Sequence, residues 1–199
     1  MGLVSVNINS YDGFRNDVLG HEFNVDNSPT LIYQCWDLAA ELWMNIPYFH
    51  ALGGLYPQTG PLGYASEIWT VSRIQNAATQ FTTFTDYKQI KRGDVLVLAP
   101  SVYFPTTGHV CFADEDYDPN GEEPTKIQCM GQNQDPEHSN PTVGYKATLN
   151  KLHVGGYLLG AFRYKEWDNT PPTPTTINKK RGYKFWIYGN VPKNRRNGY

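Results

Sequence analysis

The chain of 199 residues is long enough for one well-buried domain and too short for two full ones. Residues 1–170 carry 10 basic and 19 acidic side chains, whereas residues 171–199 carry seven basic and no acidic ones, so the net charge of −2 combines an acidic body with a basic tail. The acidic body excludes nucleic acid as the main partner, because phosphate binding needs a basic face on the folded domain.

Neither a membrane span nor a disulfide framework is expected. No apolar run is long enough to cross a bilayer, and the first residues, "MGLVSVNINSYDG", lack the positive and hydrophobic parts of a signal peptide. Cys35, Cys111 and Cys129 are too few and too widely spaced for a disulfide scaffold or a paired-cysteine zinc site. We therefore expect a soluble cytosolic product in which Cys111 and Cys129 are small buried residues.

The first half of the chain is predicted to be helical. Apolar residues recur at helical spacing from Leu31 to Trp43, and Pro47 ends the pattern, which predicts a helix with Cys35 near its start. A thiol at that place lies in the positive end of the peptide dipoles, which favours the thiolate and suggests a nucleophile. After a loop rich in Gly and Pro, residues 65–81 predict a second helix capped by Ser66.

The second half is predicted to form an antiparallel sheet. Short β-rich runs separated by turn-forming residues lie at 93–100, 108–115, 126–134 and 155–164. Helices followed by a sheet indicate an α+β domain, which we place at residues 1–167. Residues 168–180 are rich in Pro and Thr and predict an extended linker, and residues 181–199 form a basic aromatic tail that is too short to fold alone.

A cysteine nucleophile needs a base, and the base needs an orienting group. Of the five histidines, His109 alone begins a predicted strand directly after a glycine. Strand geometry places His109 and Cys111 on one face, and it places Cys129, Gly131 and Asn133 on one face of the next strand. An imidazole and a carboxamide on neighbouring strands can meet, so Asn133 is a candidate orienting group.

Three fragments in this order resemble the CHAP domains, the cysteine, histidine-dependent amidohydrolase/peptidase family. They are "YQCWDL" on the predicted helix and "GHVCFADED" and "IQCMGQNQ" on predicted strands, and the resemblance extends across about residues 10–167. It implies a papain-like α+β fold with N-terminal helices packed on an antiparallel sheet. It also implies a bacteriophage endolysin or virion-associated lysin that cleaves an amide bond of peptidoglycan. Such a protein is made in the host cytoplasm and acts on the cell wall, at lysis or as part of the virion.

The resemblance also implies roles for individual residues. Cys35 would be the nucleophile and His109 the general base. Many family members carry a Glu two residues before the Asn of the third motif, where this chain has Gly131. The orienting role then falls to Asn133, with Gln132 as an alternative.

Further roles are implied close to the nucleophile. The backbone N–H of Cys35 and the side chain of Gln34 would stabilise the tetrahedral oxyanion. Some family members bind calcium with acidic residues in this region, so Asp26 and Asp37 are candidate Ca²⁺ ligands. The alternative for Asp37 is local helix capping.

Three functions stay open at this point. The first is an active wall hydrolase, either a peptidoglycan endopeptidase or an N-acetylmuramoyl-L-alanine amidase. The second, favoured by Gly131, is a catalytically inactive structural or wall-binding virion protein. The third is another papain-like cysteine hydrolase with a different substrate. Tyr183, Phe185 and Trp186 are expected to anchor the tail either on a partner, such as another phage virion or lysis protein, or on the catalytic domain.

Overall fold

The computed structural model describes residues 6–25, 34–54, 57, 59–71, 79–134 and 146–168. Four α-helices lie within these ranges: α1 (Tyr11–Val18), α2 (Cys35–Asn45), α3 (Pro47–Ala51) and α4 (Lys165–Asp168). Short 3₁₀ helices occupy Ala65–Trp69 and Tyr87–Gln89. The strands are β1 (Phe81–Phe84), β2 (Val95–Leu98), β3 (His109–Ala113), β4 (Lys126–Gly131), β5 (Thr148–His153) and β6 (Leu158–Tyr164). The predicted α+β class, with N-terminal helices packed on an antiparallel sheet, is confirmed.

The described strands form one antiparallel sheet in the order β1-β6-β2-β3-β4-β5. In the centre, β2 pairs with β3 from Val95 opposite Phe112 to Leu98 opposite His109. Every residue of β2 and β3 is buried, because apolar groups cover both faces of these strands. This explains why the two strands are nearly continuous apolar runs rather than alternating ones.

The two faces of the sheet belong to separate hydrophobic clusters. Val97, Val110 and Phe112 point towards the helices and pack with residues of α1, α2 and α3. Cys111 and Cys129 point to the opposite face, where loop side chains cover them, and both are free buried thiols as expected. His109, two residues before Cys111 in β3, is therefore on the face away from the main helical layer.

Helix α2 begins and ends where its sequence provides the signals. The Asp37 carboxylate accepts a hydrogen bond from the backbone N–H of Gln34 at 2.7 Å, which satisfies one of the free donors at the helix start. At the other end Ile46 is the C-cap, and Pro47 opens α3 at a position where its missing N–H is not needed. Leu38, Leu42 and neighbouring apolar residues bury the helix against the sheet.

The two ends of the described domain close against each other. The indole of Trp167 packs against Tyr11 and Phe14, with ring centroids 5.5 and 5.8 Å apart, and its N–H donates to the carbonyl of Ile8 at 2.8 Å. Packing thus extends to Trp167, the residue at which the predicted domain ends. The predicted linker beyond Asp168 and the tail lie outside the described residues and stay predictions.

The region after residue 65 differs from its prediction. The structure has a 3₁₀ helix at Ala65–Trp69, and Phe81 starts a strand instead of ending a helix. Residues 72–78 lie outside the described part of the chain. Phe81 belongs in β1 because its ring stacks on Trp43 at 4.4 Å while its backbone pairs with Tyr164, and both contacts join residues far apart in sequence. No helix in the described ranges is long and apolar enough to cross a membrane.

Candidate active site

Cys35 is the first residue of α2 and is 8% exposed. Helix α2 packs on β3, and the backbone N–H of Val110 in that strand faces the sulfur, together with the N–H groups of Trp36 and Cys35 itself. These donors favour a negative charge on the sulfur, as expected for a thiol at a helix start. The prediction that Cys35 lies near the start of a helix is confirmed.

The expectation that Cys35 has a low pKa is wrong for the structure as it stands. Burial raises the pKa of Cys35 to about 11, and the nearby N–H groups offset only part of that effect. A buried thiolate loses its hydration, and no local sequence pattern measures how deeply the start of a helix is buried. Cys35 is therefore a neutral thiol at neutral pH.

His109 opens β3 and is 1% exposed. Gly108 turns the chain into the strand with a φ of 65°, a conformation that favours glycine. The ring of Phe104 stacks on the imidazole with centroids 4.1 Å apart and planes at 4°. Burial lowers the pKa of His109 to about 4, so the imidazole is neutral and able to accept a proton.

Cys35 and His109 lie on two elements in contact, yet their side chains do not form a hydrogen bond in the described structure. The thiol faces the backbone of Val110, the residue after His109. The imidazole Nε2 is buried without a hydrogen-bond partner among the described residues. Catalytic hydrogen bonds are often long in a substrate-free protein and tighten on binding, and the pairing of Cys35 with His109 stays a prediction.

A cavity of about 450 Å³ opens at the start of α2. Its wall includes Gln34, Cys35 and Trp36 on one side and Tyr64 and Thr107 on the other. The volume lies in the range of small-ligand sites. Cys35 is thus at the surface of a cleft that is large enough for a small ligand group.

Gln132 is completely buried and holds two segments together. Its Oε1 accepts from the N–H of Phe23 at 2.8 Å, and its Nε2 donates to the carbonyls of Phe23 at 3.0 Å and Gln34 at 3.3 Å. The side chain therefore fixes the residue before Cys35 rather than the imidazole. Its predicted alternative role, orienting the base, has no support from these contacts.

Asn133 is half-buried and lies two residues beyond the end of β4. Its φ is 49°, in the left-handed region, which Asn tolerates better than most residues. The two-residue alternation that placed Asn133 on the face of Cys129 and Gly131 holds only while the strand continues, and β4 ends at Gly131. The role of Asn133 in orienting His109 stays a prediction.

Gln134 is a buried polar residue that the sequence analysis missed. It is 1% exposed, and its side-chain amide donates to the carbonyls of Cys129 at 3.1 Å and Thr148 at 2.6 Å. Its side chain also favours the protonated form of the His109 imidazole. The fragment "IQCMGQNQ" ends at this residue, so its last glutamine is the sequence feature that could have identified Gln134.

Of the two candidate calcium ligands, Asp37 is among the described residues. Both carboxylate oxygens of Asp37 accept backbone N–H groups, from Val25 at 2.8 Å and from Gln34 at 2.7 Å. Asp37 is 1% exposed, and these contacts match the capping alternative, while its role as a calcium ligand stays a prediction. Asp26 lies outside the described residues. The described part of the chain contains no group of three or more acidic, His or Cys side chains able to hold a metal ion.

Comparison with solved structures places this fold beside two proteins. The endolysin LysIME-EF1 matches with a TM-score of 0.50 and 22% sequence identity over 80% of this chain and 64% of its own. Ly7917 matches with a TM-score of 0.50 and 19% identity over 75% of this chain and 59% of its own. The chain shares a fold with these two proteins.

The similarity covers less than two thirds of either solved chain. No protein-family model matches the sequence, and no curated protein matches it. The expected fold is thus supported by structure, while the resemblance to CHAP domains stays a prediction based on the three fragments.

Proposed function

We propose that the protein is a bacteriophage peptidoglycan hydrolase that cleaves a cell-wall amide bond with Cys35 as nucleophile and His109 as general base. The observation that carries this proposal is the position of Cys35. It starts a helix at the surface of a cleft, and the helix packs on the strand that His109 begins. The fold shared with an endolysin makes a cell-wall substrate the best-supported choice.

The chemistry follows from the neutral state of both groups. The thiol proton of Cys35 passes to the His109 imidazole while the sulfur forms a bond to the scissile carbonyl carbon. The backbone N–H of Cys35 and the side chain of Gln34 stabilise the resulting oxyanion. When the carbon–nitrogen bond breaks, the imidazolium gives its proton to the leaving amine, and a thioester remains.

Water completes the cycle. His109 takes a proton from the water, whose oxygen attacks the thioester carbon. The carbon–sulfur bond breaks, the new carboxyl product leaves, and the proton returns to the sulfur of Cys35. The atoms of the proposed reaction therefore balance with the protein, the substrate and water.

Lysis of purified walls tests the nucleophile and the base. We expect Cys35→Ala and His109→Gln to abolish the fall in turbidity, with far-UV circular dichroism unchanged for Cys35→Ala. Turnover by Cys35→Ala at the wild-type rate would refute the mechanism. Mass spectrometry of the digested wall would identify the bond, because an amidase leaves a glycan-side lactic acid terminus and an endopeptidase leaves a new peptide terminus.

A second candidate is a wall-binding or structural virion protein without catalytic activity. Two observations favour it: Gly131 stands where a carboxylate was expected, and the thiol and imidazole are not hydrogen-bonded in the described structure. Co-sedimentation with insoluble walls that yields no soluble fragments would support this candidate.

We also propose that the protein is made in the host cytoplasm and reaches the wall at lysis or in the virion. Residues 181–199 are proposed to contact a virion or lysis protein. Deletion of residues 171–199 should weaken wall binding, assembly or activity. If all three are unchanged, the tail has no such role.

A further inference from the structure

The side chain of Gln134 occupies the space that any side chain at position 131 would need. A Cβ added to Gly131 would lie 2.5 Å from Oε1 of Gln134 and 3.2 Å from Cβ of Cys111. Both distances are too short for an ordinary contact, so a larger residue at 131 and the present position of Gln134 exclude each other. The glycine therefore has a structural consequence: it admits the carboxamide of Gln134.

The position above Gly131 lies beside the histidine. β3 pairs with β4 through Phe112 opposite Met130 and Ala113 opposite Cys129, and the next residues, Cys111 and Gly131, also lie side by side, since Cβ of Cys111 would be 3.2 Å from a Cβ at position 131. Cys111 shares its face of the strand with His109, two residues away. The Gln134 oxygen thus reaches the face of β3 from which the imidazole projects.

The orientation of the Gln134 amide is set by its other contacts. Nε2 donates to two carbonyl oxygens, those of Cys129 and Thr148, which use both of its hydrogens. Oε1 is left as the free acceptor. Among the described residues, Oε1 of Gln134 and Nε2 of His109 are both buried without a hydrogen-bond partner.

Two buried polar atoms without partners are costly, since each loses its hydration without compensation. One is an acceptor, and the other becomes a donor when the neutral imidazole carries its proton on Nε2. A hydrogen bond between them satisfies both. It also leaves Nδ1 unprotonated and available to receive the proton of a thiol.

We propose that Gln134, rather than Asn133 or a residue at position 131, is the positioning residue for His109, with Oε1 accepting a hydrogen bond from the Nε2–H of the imidazole. The inference rests on the proposed function, in which His109 is the base. It assigns the orienting role to a neutral amide inserted from beyond the end of β4. Gly131 is then the residue that makes room for Gln134, and the absence of a carboxylate at position 131 does not mean that the site is inactive.

The tautomer of His109 provides a test that does not depend on lysis. In ¹⁵N-labelled wild-type protein near neutral pH, long-range ¹H–¹⁵N correlation should show His109 with the proton on Nε2. Gln134→Met removes the acceptor at similar volume, and the spectrum should shift towards a mixture of tautomers. Gln128→Met makes the same chemical change on β4, and it should leave the His109 signals unchanged.

Gly131→Ala is a second variant that removes no polar group. Its Cβ would displace the Gln134 oxygen, so it should change the His109 tautomer in the same direction as Gln134→Met. This variant keeps the proposal testable if Gln134→Met does not fold, because its backbone needs no left-handed conformation. Urea unfolding of each variant identifies those that are folded.

Kinetics on wall fragments complete the test. Gln134→Met should lower kcat by about tenfold or more with little change in KM, because a misoriented base affects the chemical step rather than binding. Asn133→Ala should have a clearly smaller effect on kcat and none on the tautomer. The reverse pattern, with Asn133→Ala changing the tautomer and both Gln134→Met and Gly131→Ala leaving it intact, would overturn the proposal.

The two proposals fail in different ways. If the tautomer responds as expected but no wall is cleaved, the positioning of His109 stands and the hydrolase function fails. If lysis depends on Cys35 and His109 but the tautomer is the same in every folded variant, the function stands and the role of Gln134 is wrong.

Discussion

Acid should destabilise this protein through one buried imidazole. The unfolded chain binds a proton on His109 near pH 6.5, whereas the folded chain binds it only near the pKa of about 4. Below pH 6.5 the unfolded state therefore holds more protons, and the free energy of unfolding decreases as the pH falls. The stabilisation that comes from keeping His109 neutral is fully present above about pH 7 and is lost progressively as the pH falls to about 4.

The magnitude follows from the two pKa values. A difference of about 2.5 pH units corresponds to about 3 kcal/mol when the titration is complete, and to about 2 kcal/mol between about pH 8 and about pH 5. His109 is 1% exposed, so solvent screening does not reduce this figure appreciably. The loss is a large fraction of the stability of an ordinary domain.

The assay is urea unfolding followed by tryptophan fluorescence at several pH values, for wild type and His109→Gln. The wild-type free energy of unfolding should fall by about 2 kcal/mol more than that of the variant over this range. Other titrating groups cancel in the difference, including Glu41, whose pKa burial raises to about 6 and which changes stability in the opposite direction. Parallel pH profiles for the two proteins would refute the reasoning.

Three further predictions concern stability and reactivity. Asp94→Ala should lower the free energy of unfolding by about 3 kcal/mol in urea titrations. In the wild-type structure the guanidinium of Arg163 lies 2.7 Å from the buried Asp94 carboxylate, and the substitution removes that partner. An effect under about 1 kcal/mol would contradict this reasoning. Gly108→Ala should lower the free energy of unfolding by more than the matched control Gly156→Ala, which should lower it by roughly 1 kcal/mol. Both glycines have positive φ, but only a Cβ at position 108 would meet a backbone oxygen, at 2.3 Å. Equal losses of stability would exclude this clash. Cys35 should react with iodoacetamide about 100-fold more slowly than a free thiol at neutral pH, because burial raises its pKa to about 11 and lowers the thiolate fraction. Peptide mass spectrometry can measure the rate, and rapid labelling at mildly acidic pH would show an activated thiolate instead.

Local pattern was sufficient to predict the elements that carry the proposed site. Apolar spacing and Pro47 located the helix that begins with Cys35, and the glycine before His109 located the start of a central strand. The alternation of β3 correctly separated Val110 from Cys111. These features depend on a few neighbouring residues, so the sequence by itself determined the α+β class and the positions of the thiol and the imidazole along the chain.

Tertiary structure decided what those groups can do. Burial of Cys35 and His109 keeps both neutral, against the expectation drawn from the helix start, because desolvation depends on every segment packed around them. The end of β4 at Gly131 broke the alternation that led to Asn133, and the space above that glycine brought Gln134 into the role proposed here. Such effects arise between residues that are distant in sequence, so no local sequence pattern can predict them.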